Sequence, residues 1–483
     1  MPENLITQTN TNQNEKIKKS RFQNIWSAVR LPVLAFVVSI FVGALLIAVT
    51  DLSIYAEIRN INSYIHPFRY FFLVLSILIL IASIWFYFDQ RINKFKPLQG
   101  LAENRLFQVR LIGIILGLLI SYLLAVTAGF GSVLKMSVNA AMVAYGSMME
   151  GSVGNFSQII AAFQSGDLQT IATAINPFSE SLVAATPYIF SGLSVAIALR
   201  CGIFNIGTEG QIFIGATTSV IAGFALKGLP PIIHIPVAMA AGALGGAFWA
   251  FIPAILKTKF GSNEVINTIM LNYVAFRLNE FLLNGPLRRP DQTEPFSPYI
   301  ETSAELTRFL PYPSRFHLGF FIAIGVAIFM YWFLFHTTIG LEIRLVGKNP
   351  DAAKYAGINI TRSYLLAFCL AGAMGGLAGA NEILGVNHYL SGSISPGYGF
   401  DAISLSILGN NHPIGVILTS LLFGFLRNGS TRMQNIARVP MEIITVVQAL
   451  VIAFIAAPTI IRTLFHLKEK DGEKLVVTRG WGK

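Results

Sequence analysis

The stretch Phe204-Asn205-Ile206-Gly207-Thr208-Glu209-Gly210-Gln211 sets a carboxylate, two amides and two glycines into otherwise apolar surroundings. Such side chains can hold a polar solute, relay a proton or satisfy free backbone groups, and glycine lets the backbone break. At membrane depth each polar group must be paired, solvated in a cavity, or costly, so a broken helix lining a cavity would accommodate the whole stretch. Two roles for Glu209 stand side by side: a part in permeation, or fixing a turn by accepting backbone hydrogen bonds. A second polar set follows at Glu264, Asn267 and Asn272, which a helical turn of about 100° per residue gathers onto one face within an arc of about 140°. Arg277 and Glu280, three apart, fall on the other side, where an ion pair or solvation suits them. A third set, Asn381 and Glu382, Asp401, Glu442 and Gln448, is spread along the chain, and its separation leaves any convergence open.

One further segment, Thr337 to Arg362, carries charges between two apolar runs: Glu342, Arg344, Lys348, Asp351, Lys354 and Arg362. Within it Asn349 can cap a helix, Pro350 suits the first helical position, Asp351 complements the positive helix end and Gly357 can terminate it. A surface helix of about two turns is expected over Pro350–Ala356. Most loop helices of this kind are connectors, so the capping pattern alone assigns no function.

The elements that must position these groups are membrane helices. Of 483 residues, 54% are hydrophobic and 12% charged, with mean hydropathy +0.61. A soluble domain carries roughly 25% charged residues, so too few ionised groups remain here to coat a water-facing surface. The net charge of +11, from 35 bases and 24 acids, gathers in tails and loops between apolar runs. That placement follows the positive-inside bias and calls for no nucleic acid. Two cysteines, Cys201 and Cys369, make neither a disulfide framework nor a Cys-rich metal site.

Residues 1–30 are polar and basic and read as a flexible cytosolic tail. Leu31–Thr50 is twenty residues without a charge, matching the about 20 helical residues that cross a hydrocarbon core of ~30 Å. Tyr70–Phe88 and Leu111–Phe130 repeat the pattern around a loop holding Arg91, Lys94, Lys96, Arg105 and Arg110, which is expected to be cytosolic. Further apolar runs stand near 181–200, 205–227, 236–257, 264–284, 317–336, 363–385, 399–409, 412–427 and 439–461. Twelve crossings put both termini in the cytosol, in keeping with a basic tail over 462–483. Arg427, Arg432 and Arg438 disagree, since this count places them outside. The split between 399–409 and 412–427 is kept because Pro413, after Gly409-Asn410-Asn411-His412, would break a single span in its middle. Gly372 and Gly376, Gly375 and Gly379, and Gly242 and Gly246 stand four apart, a spacing that lets helix backbones approach closely.

Four stretches now make the chain recognisable. They are the run from Phe204 to Gln211; Gly347-Lys348-Asn349-Pro350-Asp351-Ala352-Ala353-Lys354-Tyr355-Ala356-Gly357-Ile358; Gly379-Ala380-Asn381-Glu382-Ile383-Leu384-Gly385; and Gly397-Tyr398-Gly399-Phe400-Asp401-Ala402-Ile403. In this order they resemble the permease subunits of nucleoside and simple-sugar ABC importers, a family related to branched-chain amino acid and ribose permeases. The resemblance covers Ala140 to Pro458, and the stretches around Glu382 and Phe400 are closest to the nucleoside branch. It implies an all-α polytopic membrane protein of about twelve transmembrane helices: a ten-helix core similar to the cobalamin-importer type over 131–461, and two additional spans within 31–130. It further implies a cytosolic coupling loop over 337–362, in which Asn349, Pro350, Asp351, Ala353 and Gly357 meet a cytosolic ABC ATPase. A substrate path would run past Asn205, Glu209, Gln211, Glu264, Asn267, Asn272, Asn381, Glu382, Phe400 and Asp401. The partners implied are that ATPase with its ATP and Mg²⁺, a second permease subunit, homologous or identical, an extracytosolic substrate-binding protein or lipoprotein, and the lipid of the plasma membrane.

Missing motifs agree with this division of labour. No Gly-x4-Gly-Lys-Ser/Thr loop exists, because Lys348 is followed by Asn349, so energy must come from another chain or from a gradient. No cofactor is expected on this chain. Pro286–Arg315 is the longest late loop and too short for a capture domain, so scarce solute would need a partner. A simple-sugar or branched-chain amino acid permease is the near alternative. A secondary transporter using Glu209, Glu264 or Glu382 as a proton relay is a further one. A membrane enzyme is weaker, because seven histidines include no His-Glu-x-x-His pair.

Overall fold

The computed structural model describes residues 37–48, 50–51, 54–58, 69–88, 103–126, 130–290 and 294–440, with 442–443, 445–446, 449–450 and 453. The basic tails, Arg91, Lys94, Lys96, Gln448 and most of the run 439–461 lie outside the described residues. What is described is nearly all helical, and its few extended residues meet only in a bridge between Arg308 and His317. Five helices among the described residues are long and apolar enough to cross a membrane, and shorter apolar helices accompany them, so this is a polytopic membrane protein. The chain falls into two compact units, one built from residues up to Gly146 and from Met433 onward, the other from Ser147 to Arg432.

The first unit holds α1 (Val37–Ala48), α2 (Arg69–Phe88), α3 (Glu103–Ala125) and the start of α4 (Gly131–Val153). Helices α2 and α3 pair as a hairpin. Ser76 Oγ lies 2.8 Å from the Ser121 carbonyl and Ser121 Oγ 3.0 Å from that of Ser76, so each hydroxyl meets the other helix's backbone. Phe71, Ile77 and Ile81 on α2, and Ile112, Leu116 and Leu119 on α3, stay exposed, as lipid-facing side chains are. The Tyr145 hydroxyl donates to the Ile40 carbonyl at 2.8 Å and ties α4 to α1. Helix α4 has no counterpart among the apolar runs, because Lys135, Asn139 and Glu150 interrupt it.

The second unit runs through α5 (Phe156–Ser165), α6 (Leu168–Arg200), α7 (Thr208–Ala225), α8 (Pro231–Phe260), α9 (Glu264–Asn284) and α10 (Gly319–His336). It continues through α11 (Thr338–Lys348), α12 (Pro350–Tyr355), α13 (Ile360–Asn381), a π-helical turn (Glu382–Asn387), α14 (Tyr398–Leu408) and α15 (Pro413–Ala437). Asp167 caps α6 by accepting the amide hydrogens of Gln169 and Thr170, which starts that helix well before the apolar run that announces it. Asn410 and Asn411, both at positive φ, turn the chain between α14 and α15, and the Arg200 guanidinium donates to both their carbonyls.

Packing centres on α13, which lies between α7 and α8. Backbone meets backbone along the seam: a Cβ on Gly376 would fall into the Gly242 carbonyl, one on Gly246 into the Gly372 carbonyl, and one on Gly379 into the Ile212 carbonyl of α7. Lipid tails are as apolar as leucine, so this close approach, and the dispersion it gains, holds the three helices together where a hydrophobic drive cannot. Between α6 and α7 the helix breaks over residues 201–207, and Gly202 takes φ +74°. There the chain rests on the end of α11: a Cβ on Gly202 would stand 3.1 Å from Gly347 Cα, and one on Gly347 would enter the Arg200 carbonyl.

Candidate functional site

The break before α7 is held by its own polar side chains. Asn205 Oδ1 accepts the Gly207 amide hydrogen at 3.0 Å and lies 3.3 Å from Gln211 Nε2, while Asn205 Nδ2 faces Gln211 Oε1 at 3.3 Å. From α9, Asn272 is 1% exposed, accepts the Gly210 amide hydrogen at 2.8 Å and donates to the Ile206 carbonyl at 3.0 Å. These bonds supply backbone groups at a helix start that has no side-chain cap of its own.

Glu209, one residue into α7 and 2% exposed, reaches the start of α14. Its Oε2 accepts the Gly399 amide hydrogen at 2.6 Å, and the carboxylate also bonds the Ser395 side chain. A Cβ on Gly399 would collide with the Glu209 backbone, so the two helix N-termini touch here. A carboxylate between two helix N-termini meets the positive ends of both dipoles.

Behind that contact lies a network of charged groups. The Tyr188 hydroxyl of α6 donates to Asp401 Oδ2 of α14 at 2.8 Å and accepts from Arg427 Nη1 of α15 at 3.2 Å. The Arg427 guanidinium also stands 5.7 Å from the Tyr398 ring centre, and the Tyr188 and Tyr398 rings meet edge to face at 4.9 Å. Arg315, in the loop before α10, donates to Glu180 of α6 from its backbone amide at 2.9 Å, from Nε at 3.0 Å and from Nη2 at 2.6 Å. Glu382, 6% exposed at the start of the π-turn, faces both Arg315 and Arg427 electrostatically. Asn381 beside it is fully buried, with neither amide atom bonded.

The polar face expected on α9 does not act as one. Glu264 Oε2 pairs with Lys257 Nζ at 2.8 Å and Asn267 with Ser262 at 2.9 Å, both at the α8–α9 turn, and only Asn272 enters the bundle. Arg277 and Glu280 form an exposed pair at 2.6 Å. Phe400 is 47% exposed on α14. The structure thus brings together Asn205, Gln211 and Asn272 at the break, Glu209 with the α14 start, and Asp401 and Glu382 around Arg427. Sequence reasoning missed Tyr188, Tyr398, Arg315 and Glu180, and took Arg427 for a loop charge. Arg427 lies in fact within α15, which runs ten residues beyond the expected 427, with Arg427 bonded to Tyr188 and the exposed Arg432 paired with Glu150 at 2.9 Å. The misplaced positive charges were the signal available.

In the segment 337–362, Asn349 Oδ1 accepts the amide hydrogens of Asp351 and Ala352 at 3.0 and 3.1 Å, and Gly357 takes φ +82° after the helix. Ala353, expected at a partner's surface, is 3% exposed and seats α12 on its own chain. Asp351, Ala352, Lys354 and Ala356 are exposed instead, and Tyr355 is 95% exposed. A cavity of about 570 Å³ in the first unit, lined by Thr50, Asp51, Asn139 and Arg438 among others, contains none of the nominated site residues.

Residues 178–456 match the family described as branched-chain amino acid transport system / permease component. The chain belongs to that permease family. As a permease component it is a transport subunit and not an enzyme. The permease is 38% identical over 303 residues to the guanosine ABC transporter permease protein NupP of Bacillus subtilis, covering 61% of this chain and 84% of that protein. It is 35% identical over 312 residues to the nucleoside ABC transporter permease protein NupB of Lactococcus lactis, covering 61% and 85%. It is also 35% identical over 286 residues to the glucose ABC transporter permease protein TsgB13 of Haloferax volcanii, covering 57% and 75%. No solved structure matches the permease.

Proposed function

We propose that this permease is the transmembrane subunit of an ATP-driven importer that carries nucleosides across the plasma membrane. The observation that carries the reading is the 38% and 35% identity to NupP and NupB, over more than four fifths of each relative. ATP and Mg²⁺ then belong to a separate ABC ATPase, and a second permease subunit and an extracytosolic binding protein or lipoprotein complete the machine. About twelve crossings, ten of them in a core similar to the cobalamin-importer type, would leave both termini cytosolic, with α2 and α3 as the additional pair. Exposed apolar faces on that pair support a position against lipid.

Within this reading the break at 201–207 and the charged network around Arg427 border the substrate path, and α12 meets the ATPase through Asp351, Ala352, Lys354, Tyr355 and Ala356. Ala353 anchors the helix from beneath. The test is uptake of labelled solutes by a strain lacking this chain and by its complemented parent, competed with nucleosides, sugars and branched-chain amino acids. Nucleosides should compete. Competition by sugars or amino acids alone, or uptake driven by an ion gradient without ATP, overturns the assignment.

A further inference from the structure

Glu382 differs from Glu209, which is also buried, and from the half-buried Asp401 and Glu180 in what its oxygens do. Glu209 is committed to the α14 backbone, Asp401 to Tyr188 and Glu180 to Arg315. Glu382 receives one long bond of 3.5 Å, from Asn387 Nδ2, and no ion pair among the described residues includes it. Arg315 and Arg427 act on it electrostatically while spending their hydrogen bonds on Glu180 and Tyr188. The site therefore holds a carboxyl group with unfilled acceptor capacity. Its backbone context is a π-turn, an arrangement that recurs at functional positions. The neighbouring Asn381, the last residue of α13, is fully buried with both amide atoms unbonded. Buried groups left this way are costly unless something occupies them.

An occupant must offer hydroxyl donors to a carboxylate without bringing a charge that competes with two arginines. A vicinal diol does this: its two O–H groups can point to the two oxygens of one carboxylate, and each hydroxyl oxygen can still accept from an amide. The diol is what nucleosides share with simple sugars and what branched-chain amino acids lack. We infer that Glu382 reads the ribose 2′,3′-diol of the transported nucleoside, with Asn381 beside it, which deepens the nucleoside reading above and rests on it.

The experiment uses cells expressing the complete importer. Uptake of whichever of guanosine, adenosine, cytidine and uridine it carries best is competed with the same nucleoside and with its 2′,3′-dideoxy analogue, and membrane abundance is measured for every variant. In the wild type the dideoxy compound should compete at least about tenfold more weakly, the discrimination expected when a buried polar group loses its partner. In Glu382→Gln that ratio should fall to within about twofold, through weaker recognition of the ribonucleoside and unchanged recognition of the analogue. Should Glu382→Gln fail to reach the membrane, Glu382→Asp, which keeps the charge and withdraws it by one methylene, carries the test and should narrow the ratio at least about threefold. A wild-type ratio near one, or a ratio that stays put in the variant because a binding partner alone sets it, overturns the inference and leaves nucleoside transport standing. Absence of any nucleoside competition overturns both.

Discussion

Replacing Glu209 separates two uses of one carboxylate. In the structure it is a clamp: Oε2 holds the Gly399 amide hydrogen at 2.6 Å, Ser395 adds a second bond, and the residue is 2% exposed. Hydrogen bonds to a charged group contribute about 1.5–3 kcal/mol each, so Glu209→Ala should cost about 3–6 kcal/mol. Glu209→Gln keeps an acceptor for Gly399 and forfeits only the charge against the helix ends, about 1–2 kcal/mol. The assay is paired, thermal unfolding of the purified permease in detergent and solute uptake by cells at matched membrane abundance. Expected is a large loss of stability and of folded yield in the alanine variant, with a small loss of stability and retained transport in the glutamine variant. If Glu209→Gln unfolds like the wild type yet transports nothing, the charge acts in permeation and the clamp argument is refuted.

Other consequences can be checked alongside. Gly376→Ala puts a methyl into the Gly242 carbonyl and should lower stability by about 1–3 kcal/mol as an overpacking change, whereas Gly325→Ala, in open space on α10, should be neutral by size-exclusion of the solubilised protein. Asn349→Ala removes the α12 cap and should cost about 1 kcal/mol locally, read as faster amide exchange over 350–356. Tyr355→Ala should leave unfolding unchanged and lower solute-stimulated ATP hydrolysis in the reconstituted complex, while Ala353→Trp should destabilise the isolated subunit; full coupling in the Tyr355 variant would remove that side chain from the contact. Burial first, then Arg308, His388 and Arg315, push the His317 imidazole in the loop before α10 down from 6.5 to about 4. Between those values the unfolded chain binds a proton that the folded chain refuses, so the stability tied to this neutral ring is complete above 6.5 and is lost as pH falls toward 4, and His317→Gln should flatten that part of a pH–stability curve.

Much of this architecture could be read in the amino acids because backbone rules act locally. The four-residue glycine spacings on α8 and α13 became the seam itself, one ridge of α13 serving α8 and the other serving α7. Asn349, Pro350 and Gly357 start and stop α12 where cap chemistry requires, and Pro413 opens α15. What could not be read was partnership across distance. Helical spacing put Glu264, Asn267 and Asn272 on one arc, but the α8–α9 turn claimed the first two, since Lys257 and Ser262 lie closer in sequence than any substrate path. Arg427 looked like a loop charge because nothing local announces Tyr188, which is 239 residues away. Helix α4 escaped notice for the opposite reason: its polar residues lower its hydropathy without breaking its backbone.

The contact of Gly347 with Arg200 and Gly202 is a joint without cushioning. Side chains ordinarily absorb small displacements by changing rotamer, but here main chain bears on main chain and nothing can give. Gly347 stands two residues before Asn349, and Gly202 three before Asn205. If α12 meets the ATPase as proposed, this contact is a route by which its displacement would reach the break between α6 and α7. Adding one methyl at either glycine would insert a spacer into that bearing, shifting the rest position of the hinge without touching a solute or a nucleotide.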